Sequence, residues 1–207
     1  MCYIKYMNKE NYKLQTFVFF GIAGSGKGTQ IELLQKYLKS KNLSLNITLA
    51  YPGSEFRKLT SNGSYTGLLV KERLEGGFLQ PDFITISLFS NILIQNMTKE
   101  NILIADGYPR TISQSEALEN AMDFYSRSDI SIVYIKLSKE EATKRMKLRG
   151  RSDDTDLGIA QRFDEYVNNI LPAMNYFKDK IGYTIHTIDG EQSVENVHKE
   201  LIKKLAI

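Results

Sequence analysis

A glycine-rich segment near the start of the chain has the residue types and spacing that bind phosphate. Residues 21–29 read Gly-Ile-Ala-Gly-Ser-Gly-Lys-Gly-Thr, between an apolar run and a helical pattern. Glycines allow backbone N–H groups to turn inward around a phosphate, and a helix N-terminus adds partial positive charge at the same place. Lys27 supplies a full charge for the β- and γ-phosphates. We therefore predict that this segment, called the phosphate loop below, binds a nucleotide.

A carboxylate follows the third apolar run of the chain. Residues 101–105 form a buried-strand pattern that ends in Asp106. An acid at a strand end is more often a turn or cap residue, but beside a phosphate loop it can orient the waters of a Mg²⁺ ion. We predict that Mg²⁺ enters with ATP and meets Thr29 and Asp106 through water. No zinc site is predicted, and His186 and His198 fit structural positions.

Six arginines could gather around a phosphoryl group in transfer. Such a reaction depends mainly on positioning and charge stabilisation, and it must bring together two nucleotides of like charge. The guanidinium group suits this task because it binds phosphate through two donors and stays charged. Taken singly, each arginine would be an ordinary surface charge. The candidates are Arg57, Arg110, Arg145, Arg149, Arg151 and Arg162.

The elements that must position these residues alternate between strand and helix patterns. Helical patterns separate five short apolar runs, which favours a parallel sheet covered by helices on both faces. The predicted fold class is therefore α/β, with three layers and a five-stranded parallel sheet. The predicted strands are Thr16–Phe20, Leu45–Ala50, Ile102–Ala105, Ile130–Leu137 and Tyr183–Ile188.

The sequence also marks where helices begin and break. Ser113 with Glu116, and Ser138 with Glu141, have the spacing of capping boxes. Pro172 predicts a kink or a break near the end of the helical pattern over residues 156–177. Glycine and proline between short amphipathic segments predict a small helical insertion over residues 51–81. The other predicted helices cover residues 30–39, 82–96, 156–177 and 194–205.

The composition is that of a globular protein and excludes several classes of function. Of the 207 residues, 42% are hydrophobic, which allows one domain over residues 15–207 after an extension over 1–14. The net charge of +3 is spread along the chain, so no nucleic-acid interface is predicted. No apolar run approaches the ~20 residues that span a bilayer. The single cysteine, Cys2, excludes an internal disulfide, and we expect a cytoplasmic protein.

Three motifs, in sequence order, resemble those of the adenylate kinase family of nucleoside monophosphate kinases. Residues 21–30 resemble the family's phosphate loop, and Asp-Gly-Tyr-Pro-Arg at 106–110 resembles its most distinctive signature. Arg-Gly-Arg-Ser-Asp-Asp at 149–154 resembles the arginine-rich lid, with Arg162 at the expected later position. The resemblance implies a P-loop kinase fold with two mobile parts. These are a monophosphate-binding insertion over residues 51–81, called the acceptor arm below, and a lid over residues 145–155.

The resemblance also implies a role for each candidate residue. Arg145 would lie against the base of ATP, and Gln114 would hydrogen-bond the base of the acceptor nucleotide. The residues implied for ATP are Gly24, Ser25, Gly26, Lys27, Gly28, Thr29, Arg145 and Arg149. Those implied for the monophosphate are Gly53, Arg57, Gln80, Gly107, Arg110, Gln114, Arg151 and Arg162. The implied catalytic residues are Lys27, Arg110, Arg149, Arg151 and Arg162.

The chain departs from the family pattern at three places. Ala23 stands where the family usually has proline, which a turn tolerates. Pro52 and Ser54 replace the small hydroxyl and acidic residues that are usual in the acceptor arm. Gly150 alone separates Arg149 from Arg151, so the predicted lid is a tight turn that cannot carry zinc and excludes less water.

The expected reaction is ATP + AMP giving two ADP, catalysed by a monomer. Gln114 favours AMP because a side-chain amide can pair with both the exocyclic amine and a ring nitrogen of adenine. A UMP/CMP-type kinase is the alternative, although such relatives tend to have asparagine where this chain has Thr111. A catalytically weak nucleotide-binding regulatory module is the alternative of another class. A GTPase is not favoured, because no Asn-Lys-x-Asp motif follows the phosphate loop.

Overall fold

A single parallel sheet forms the centre of the structure, a computed structural model that describes residues 15–42, 44–151 and 154–207. The strand order is β2-β3-β1-β4-β5, and each strand ends within two residues of its predicted limits. The predicted extension over residues 1–14 lies outside the described residues. The strands are β1 (Thr16–Phe20), β2 (Ile47–Ala50), β3 (Ile102–Asp106), β4 (Ile130–Lys136) and β5 (Tyr183–Asp189).

Helices cover both faces of this sheet, which confirms the predicted three-layer α/β fold. The first four are α1 (Lys27–Lys41), α2 (Pro52–Ser61), α3 (Tyr65–Glu75) and α4 (Asp82–Asn96). The next four are α5 (Ile112–Phe124), α6 (Lys139–Arg149), α7 (Asp156–Glu165) and α8 (Leu171–Asn175). The last is α9 (Val194–Leu205). Among the described residues, no helix has the length and apolar character needed to cross a bilayer.

Alternating strand residues divide the core into two layers. Val18 and Phe20 pack with apolar residues of α4 and α5 and with the end of the α8 segment. Phe17 and Phe19 face the other way and pack with residues of α1 and α9. Successive strand side chains point to opposite faces, so a strand buried on both faces reads as an unbroken apolar run. Burying one such side chain contributes roughly 1.5–3 kcal/mol.

Of the two predicted capping boxes, one is confirmed in part and the other is wrong. Ser138 caps α6 by accepting a hydrogen bond from the Glu141 N–H at 3.3 Å, but its own N–H donates to Glu191. Helix α5 begins earlier than predicted, because Thr111 and not Ser113 is the cap. Two hydroxyl residues compete there, and Thr111 is favoured because its Oγ1 also donates to the Asp82 carboxylate at 2.9 Å.

The interruption predicted at Pro172 is present, and it lies mostly before the proline. Residues Tyr166–Ile170 form a π-helical turn between α7 and α8. The Leu171 N–H donates to the Tyr166 carbonyl, five residues back. Proline cannot donate a backbone hydrogen bond and its ring crowds the preceding turn, so the wider turn absorbs the mismatch. Helix α8 then ends at Asn175 instead of Phe177.

The carboxyl ends of all five strands meet at one edge of the sheet, and this edge positions the candidate site. It carries the phosphate loop after β1, Tyr51 after β2 and Asp106 at the end of β3. Helix α6 begins after β4, and Gly190 follows β5. Ligands of open α/β sheets bind in the crevice at this edge. The segment between β2 and α4 folds into helices α2 and α3, as the short amphipathic segments of residues 51–81 predict.

Candidate active site

The phosphate loop turns through backbone conformations that glycine provides. Gly24 has φ +86° and Gly26, which precedes α1, has φ +89°, in the left-handed region that favours glycine. A Cβ on Gly24 would lie 2.9 Å from the Ala142 carbonyl oxygen, so the loop packs closely against α6. A Cβ on Gly26 or Gly28 would meet nothing within 4 Å. The mouth of the loop is therefore open above the start of α1.

Lys27 crosses this loop and holds its charge above the backbone. Its Nζ donates to the Gly21 carbonyl at 2.6 Å, to the Ile22 carbonyl at 3.0 Å and to Ser25 Oγ at 3.4 Å. Burial lowers the pKa of Lys27 from 10.5 to about 8, and the Asp106 carboxylate partly opposes this change. A phosphate group would replace neutral carbonyl partners with anionic ones, so the arrangement favours an anion at this position.

Asp106 and Thr29 offer the hard oxygen atoms that Mg²⁺ prefers. Asp106 ends β3 and pairs in register with Phe19 of β1, the strand that leads into the phosphate loop. Thr29 lies exposed in the first turn of α1. The described residues contain no group of three or more His, Cys, Asp or Glu side chains able to hold a metal ion. Mg²⁺ that arrives with nucleotide phosphates keeps several waters and needs few protein ligands, so the two oxygens fit that ion.

Asp154 joins two of the predicted arginines. Its carboxylate accepts two hydrogen bonds from Arg149, at 3.0 and 2.7 Å, and one from Arg162 at 2.7 Å. The Arg151 N–H donates to the same group at 3.1 Å, while the Arg151 side chain is exposed. The Asp154 side chain is 1% exposed. Although burial raises its pKa, these hydrogen bonds and the Arg149 charge lower it overall to about 2.

The segment predicted as the lid includes the end of α6 and the start of the connection to α7. Helix α6 ends at Arg149, where Gly150 adopts φ +64° and its N–H donates to the Met146 carbonyl. Helix α7 begins at Asp156 after the Thr155 cap. Residues 152 and 153 lie outside the described part of the chain. The turn brings the end of α6 directly against the start of α7, which is how Arg149 and Arg162 reach one carboxylate.

Arg110 is bound back onto its own loop, near the other cations. Its Nε donates to the Gly107 carbonyl at 2.8 Å. Gly107 has φ +67°, and a Cβ there would lie 2.9 Å from Arg110 Nη2, so only glycine suits this place. Burial lowers the pKa of Arg110. The Asp106 carboxylate opposes this change, and the Arg162 charge adds to it. Lys27 also lies within electrostatic range of Arg110 and Arg149. The structure thus brings Lys27 and Arg110 within electrostatic range of Asp106, and each of them within range of one of the two arginines that Asp154 binds.

Gln114 forms hydrogen bonds inside the protein that the sequence did not predict. Its Oε1 accepts from the Arg110 N–H at 2.8 Å, and its Nε2 donates to Asp82 Oδ1 at 2.7 Å. The residue is 1% exposed. The amide therefore acts as a clamp between the start of α4 and the loop that carries Arg110. Its contact with an acceptor base stays a prediction, and it requires one N–H and one lone pair beyond those used here.

Gln80 lies shortly before α4, at the end of the acceptor arm. It is 7% exposed, and its Nε2 donates to the Val70 carbonyl at 3.4 Å. Its Oε1 is buried without a hydrogen-bond partner among the described residues. The side chain lines an apolar cavity of about 480 Å³ between α3 and the start of α4. Its predicted part in binding the monophosphate is neither supported nor opposed by these contacts.

Arg57 and Gly53 meet at Tyr51. Arg57 Nη1 donates to the Tyr51 hydroxyl at 3.2 Å, and the guanidinium lies 5.2 Å from the centre of the tyrosine ring. A Cβ on Gly53 would lie 2.5 Å from that ring. The sequence predicted Arg57 and Gly53 as site residues but not Tyr51. An aromatic residue directly before Pro52 was the only signal that could have pointed to it.

Arg145 lies at the far end of the crevice, beside the loop after β5. Its Nε pairs with Glu141 at 2.8 Å, and its Nη2 donates to the Gly190 carbonyl at 3.1 Å. Arg145 is the main reason that the pKa of Glu141 is lowered. Two partners fix the plane of the guanidinium, and a fixed plane is what stacking on a flat base requires.

The acceptor arm touches the segment after the lid. The Leu79 N–H donates to Glu165 Oε1 at 3.4 Å. A Cβ on Gly77 would lie 2.8 Å from the Gly158 carbonyl oxygen, so Gly77 permits this close approach to α7. Glu165 also accepts from Asn169 at 2.6 Å. Asp82, Asp154 and Glu165 are the acids that sequence reasoning left out of the site. Tertiary packing brings Asp82 to Gln114 and Glu165 to Leu79, whereas Asp154 lies only five residues from Arg149.

Comparison with known proteins agrees with this geometry. The adenylate kinase family model matches residues 19–182. An adenylate kinase of Prochlorococcus marinus is 32% identical over 190 residues, covering 91% of this chain and 97% of the relative. An adenylate kinase of Oenococcus oeni is 31% identical, covering 92% and 97%. One of Methanocella arvoryzae is 29% identical, covering 92% and 99%. The chain belongs to the adenylate kinase family.

Proposed function

We propose that this chain transfers the γ-phosphoryl group of MgATP to AMP and so forms two molecules of ADP. The observation that carries the proposal is the set of cations at the carboxyl edge of the sheet. Lys27 and Arg110 lie within electrostatic range of each other and of Asp106, Lys27 is also within range of Arg149, and Arg110 is within range of Arg162. Asp154 binds both Arg149 and Arg162. Cations held this close repel each other, and a polyanionic ligand relieves the repulsion. Two nucleotides that meet through their phosphates are such a ligand.

On the donor side, the backbone of Gly24–Thr29 surrounds the phosphates of ATP and Lys27 binds them. Arg145 lies against the base, held flat by Glu141 and the Gly190 carbonyl. Thr29 and Asp106 orient the waters of the Mg²⁺ ion, which screens phosphate charge when it is bound. These roles use the open mouth of the phosphate loop and the side of the crevice beside β5.

On the acceptor side, Arg57 and Arg110 bind the monophosphate. They come from the acceptor arm and from the loop after β3, so the phosphate is bound from two directions. Gly107 allows the backbone turn that precedes Arg110, and Gly53 leaves room for the Tyr51 ring that contacts Arg57. Gln114 contacts the base, and Gln80 completes the wall of the acceptor arm. AMP is the acceptor that an amide at position 114 and membership of the adenylate kinase family both favour.

The transfer step needs charge stabilisation and no general base. The attacking phosphate oxygen of AMP is already ionised at neutral pH, so no proton has to leave it. Arg149, Arg151 and Arg162 surround the phosphoryl group in flight, where charge spreads over its oxygens. Asp154 keeps two of them at a fixed separation. The short lid limits how far water can be excluded, so slow ATP hydrolysis without acceptor is expected.

A coupled assay of ADP formation with AMP, CMP, UMP, GMP and dTMP tests the proposal. We expect turnover with AMP in preference to the others, and its loss in Lys27→Met. Lys36→Met, an exposed lysine of α1, is the matched control and should retain activity. Activity confined to a pyrimidine acceptor would overturn the choice of AMP. Saturable binding of ATP and AMP without ADP would instead identify a nucleotide-binding module.

We also propose that the enzyme is a monomer and acts in the cytoplasm. Every side chain assigned above comes from one chain, so no second copy is required to complete the site. A single molecular mass near 23.7 kDa by light scattering would support the monomer, and a stable dimer would contradict it.

A further inference from the structure

Tyr51 occupies a defined place at the base of the acceptor arm. It follows β2, and its ring folds back over the first turn of α2, above Gly53. Its carbonyl accepts hydrogen bonds from Ser54 N at 3.1 Å and Ser54 Oγ at 2.8 Å. Both the backbone and the ring are therefore held, and Pro52 at the start of α2 further restricts the turn.

This ring is the surface on which Arg57 rests. The guanidinium lies over the ring at 5.2 Å from its centre, a cation–π geometry. The same group donates one N–H to the phenol oxygen at 3.2 Å. A guanidinium has five N–H donors, so four remain for a phosphate while the contact with Tyr51 is kept. Without the ring, the long side chain of Arg57 would have to be ordered by the ligand itself, at a cost in conformational entropy.

The phenol of Tyr51 also keeps its own proton available. The hydroxyl accepts from Arg57, and among the described residues it donates to no other group. Tyr51 lies within electrostatic range of Arg110 as well as in contact with Arg57. A phosphate bound between these two arginines would be the nearest strong acceptor for that proton.

We propose that Tyr51 is a third member of the acceptor-phosphate site. It acts first as a positioning residue, which holds the Arg57 guanidinium through its ring and its oxygen. It also donates its hydroxyl proton to a phosphate oxygen of the nucleoside monophosphate. This inference rests on the proposed function, because it assigns Arg57 and Arg110 to the acceptor phosphate.

Steady-state kinetics with Tyr51→Phe and Tyr51→Ala tests the assignment. Tyr51→Phe removes the hydroxyl and keeps the ring, and we expect the KM for AMP to rise about five- to tenfold. Tyr51→Ala should raise it further, while the KM for ATP stays within about twofold of wild type in both. Tyr125→Phe is the matched control, because Tyr125 follows α5 and lies outside the acceptor arm, and it should leave both constants unchanged.

A double-mutant cycle with Arg57→Ala separates positioning from a general packing role. Tyr51→Ala should have a clearly smaller effect on the KM for AMP in the Arg57→Ala protein, since there is no guanidinium left to position. Equal effects in both backgrounds would overturn the positioning role. An unchanged KM for AMP in Tyr51→Phe would overturn the donor role. Equal rises in the KM for ATP and AMP would reduce Tyr51 to a structural residue.

Calorimetric titration with AMP keeps this inference separate from the proposed function. If wild type forms no ADP, the proposed function fails, but the dissociation constant for AMP still reports on Tyr51. A five- to tenfold weaker affinity in Tyr51→Phe then supports the inference. An affinity equal to wild type contradicts it. If wild type is active and the Tyr51 variants match it throughout, the inference alone fails.

Discussion

Arg149 binds Asp154 through a pair of parallel hydrogen bonds, Nε to Oδ2 at 3.0 Å and Nη2 to Oδ1 at 2.7 Å. This fork geometry fixes the guanidinium plane as well as its distance. Because Arg162 shares Oδ1, one carboxylate sets the separation of two cations from different helices. The carboxylate therefore links the end of α6 to α7.

Replacing Asp154 with Asn should impair phosphoryl transfer more than substrate binding. The amide keeps the shape but accepts fewer hydrogen bonds and no longer offsets two positive charges. The guanidinium groups of Arg149 and Arg162 should then move apart. We expect kcat to fall about ten- to hundredfold, with smaller changes in the KM for either nucleotide. A normal kcat in Asp154→Asn would show that the two arginines reach the phosphoryl group without this carboxylate.

The same carboxylate predicts how stability depends on acid. Its pKa is about 2 in the folded protein against an ordinary 3.8, so the ionised form stabilises the fold. That contribution, about 2 kcal/mol, is fully present above pH 4 and is lost as the pH falls toward 2. Urea unfolding should therefore show wild type and Asp154→Asn converging in stability as the pH decreases. Asp179→Asn, which changes an exposed acid, is the control and should show little pH-dependent difference from wild type.

Lys27 should produce an alkaline limit in the pH profile for ATP. Its pKa is about 8 in the unliganded protein, and only the protonated form attracts the phosphates. Both nucleotides are fully ionised by that pH, so kcat/KM for ATP should fall as the pH rises through 8. Bound phosphates raise the lysine pKa, so kcat should persist to higher pH. Lys27→Arg, less active but always charged, should lose this limit. A kcat/KM that stays level beyond pH 9 in wild type would contradict the assignment.

Gln114→Leu tests whether the amide acts as a clamp or as a free base-reading group. The substitution leaves the Arg110 N–H without its acceptor and removes the donor to Asp82. We expect a lower Tm and a roughly tenfold higher KM for AMP. Since the role proposed for Arg110 is the same for every acceptor phosphate, KM should also rise for CMP and UMP. An unchanged Tm, together with loss of the preference for AMP alone, would show that the amide is free to read the base.

The strands and the phosphate loop could be predicted because local sequence determines them. Strands buried on both faces read as unbroken apolar runs, and Gly24 and Gly26 stand where left-handed backbone is needed. The roles predicted for the arginines came from the resemblance to the adenylate kinase family and not from local pattern. By contrast, the contact of Gln114 with Asp82 joins residues that are 32 positions apart. No local sequence pattern predicts a hydrogen bond between such distant residues.

The start of α5 shows the same limit at a finer scale. Thr111 and Ser113 are both acceptable cap residues, and spacing alone favoured Ser113. The choice depends on Asp82, which lies on α4 and accepts a hydrogen bond from Thr111. Asp154 and Tyr51 were likewise visible as residues but not as partners of arginines. Sequence identified the cations of the site, and packing decided which neutral and acidic groups hold them.

Arg127 should matter for stability and not for catalysis. It is 6% exposed, and its guanidinium donates to the Asn101 carbonyl at 2.7 Å and to Asn101 Oδ1 at 2.8 Å. Asn101 precedes β3, at the opposite edge of the sheet from Asp106. Arg127→Met would remove the guanidinium from both buried acceptors and leave Asn101 Oδ1 with only the Thr98 N–H at 3.3 Å. We expect the unfolding free energy to fall by about 2–4 kcal/mol. Both KM values and kcat should stay at wild-type levels at temperatures where the variant is folded.

Two further variants make this last prediction specific to the guanidinium. Arg127→Lys keeps the charge but has no planar fork to reach both acceptors of Asn101, so it should recover only part of the lost stability. Lys178→Met removes an exposed cation and should change stability by less than about 0.5 kcal/mol. Full recovery with lysine would mean that charge, and not geometry, is required beneath β3. A loss of kcat in Arg127→Met would instead mean that the two edges of the sheet are coupled.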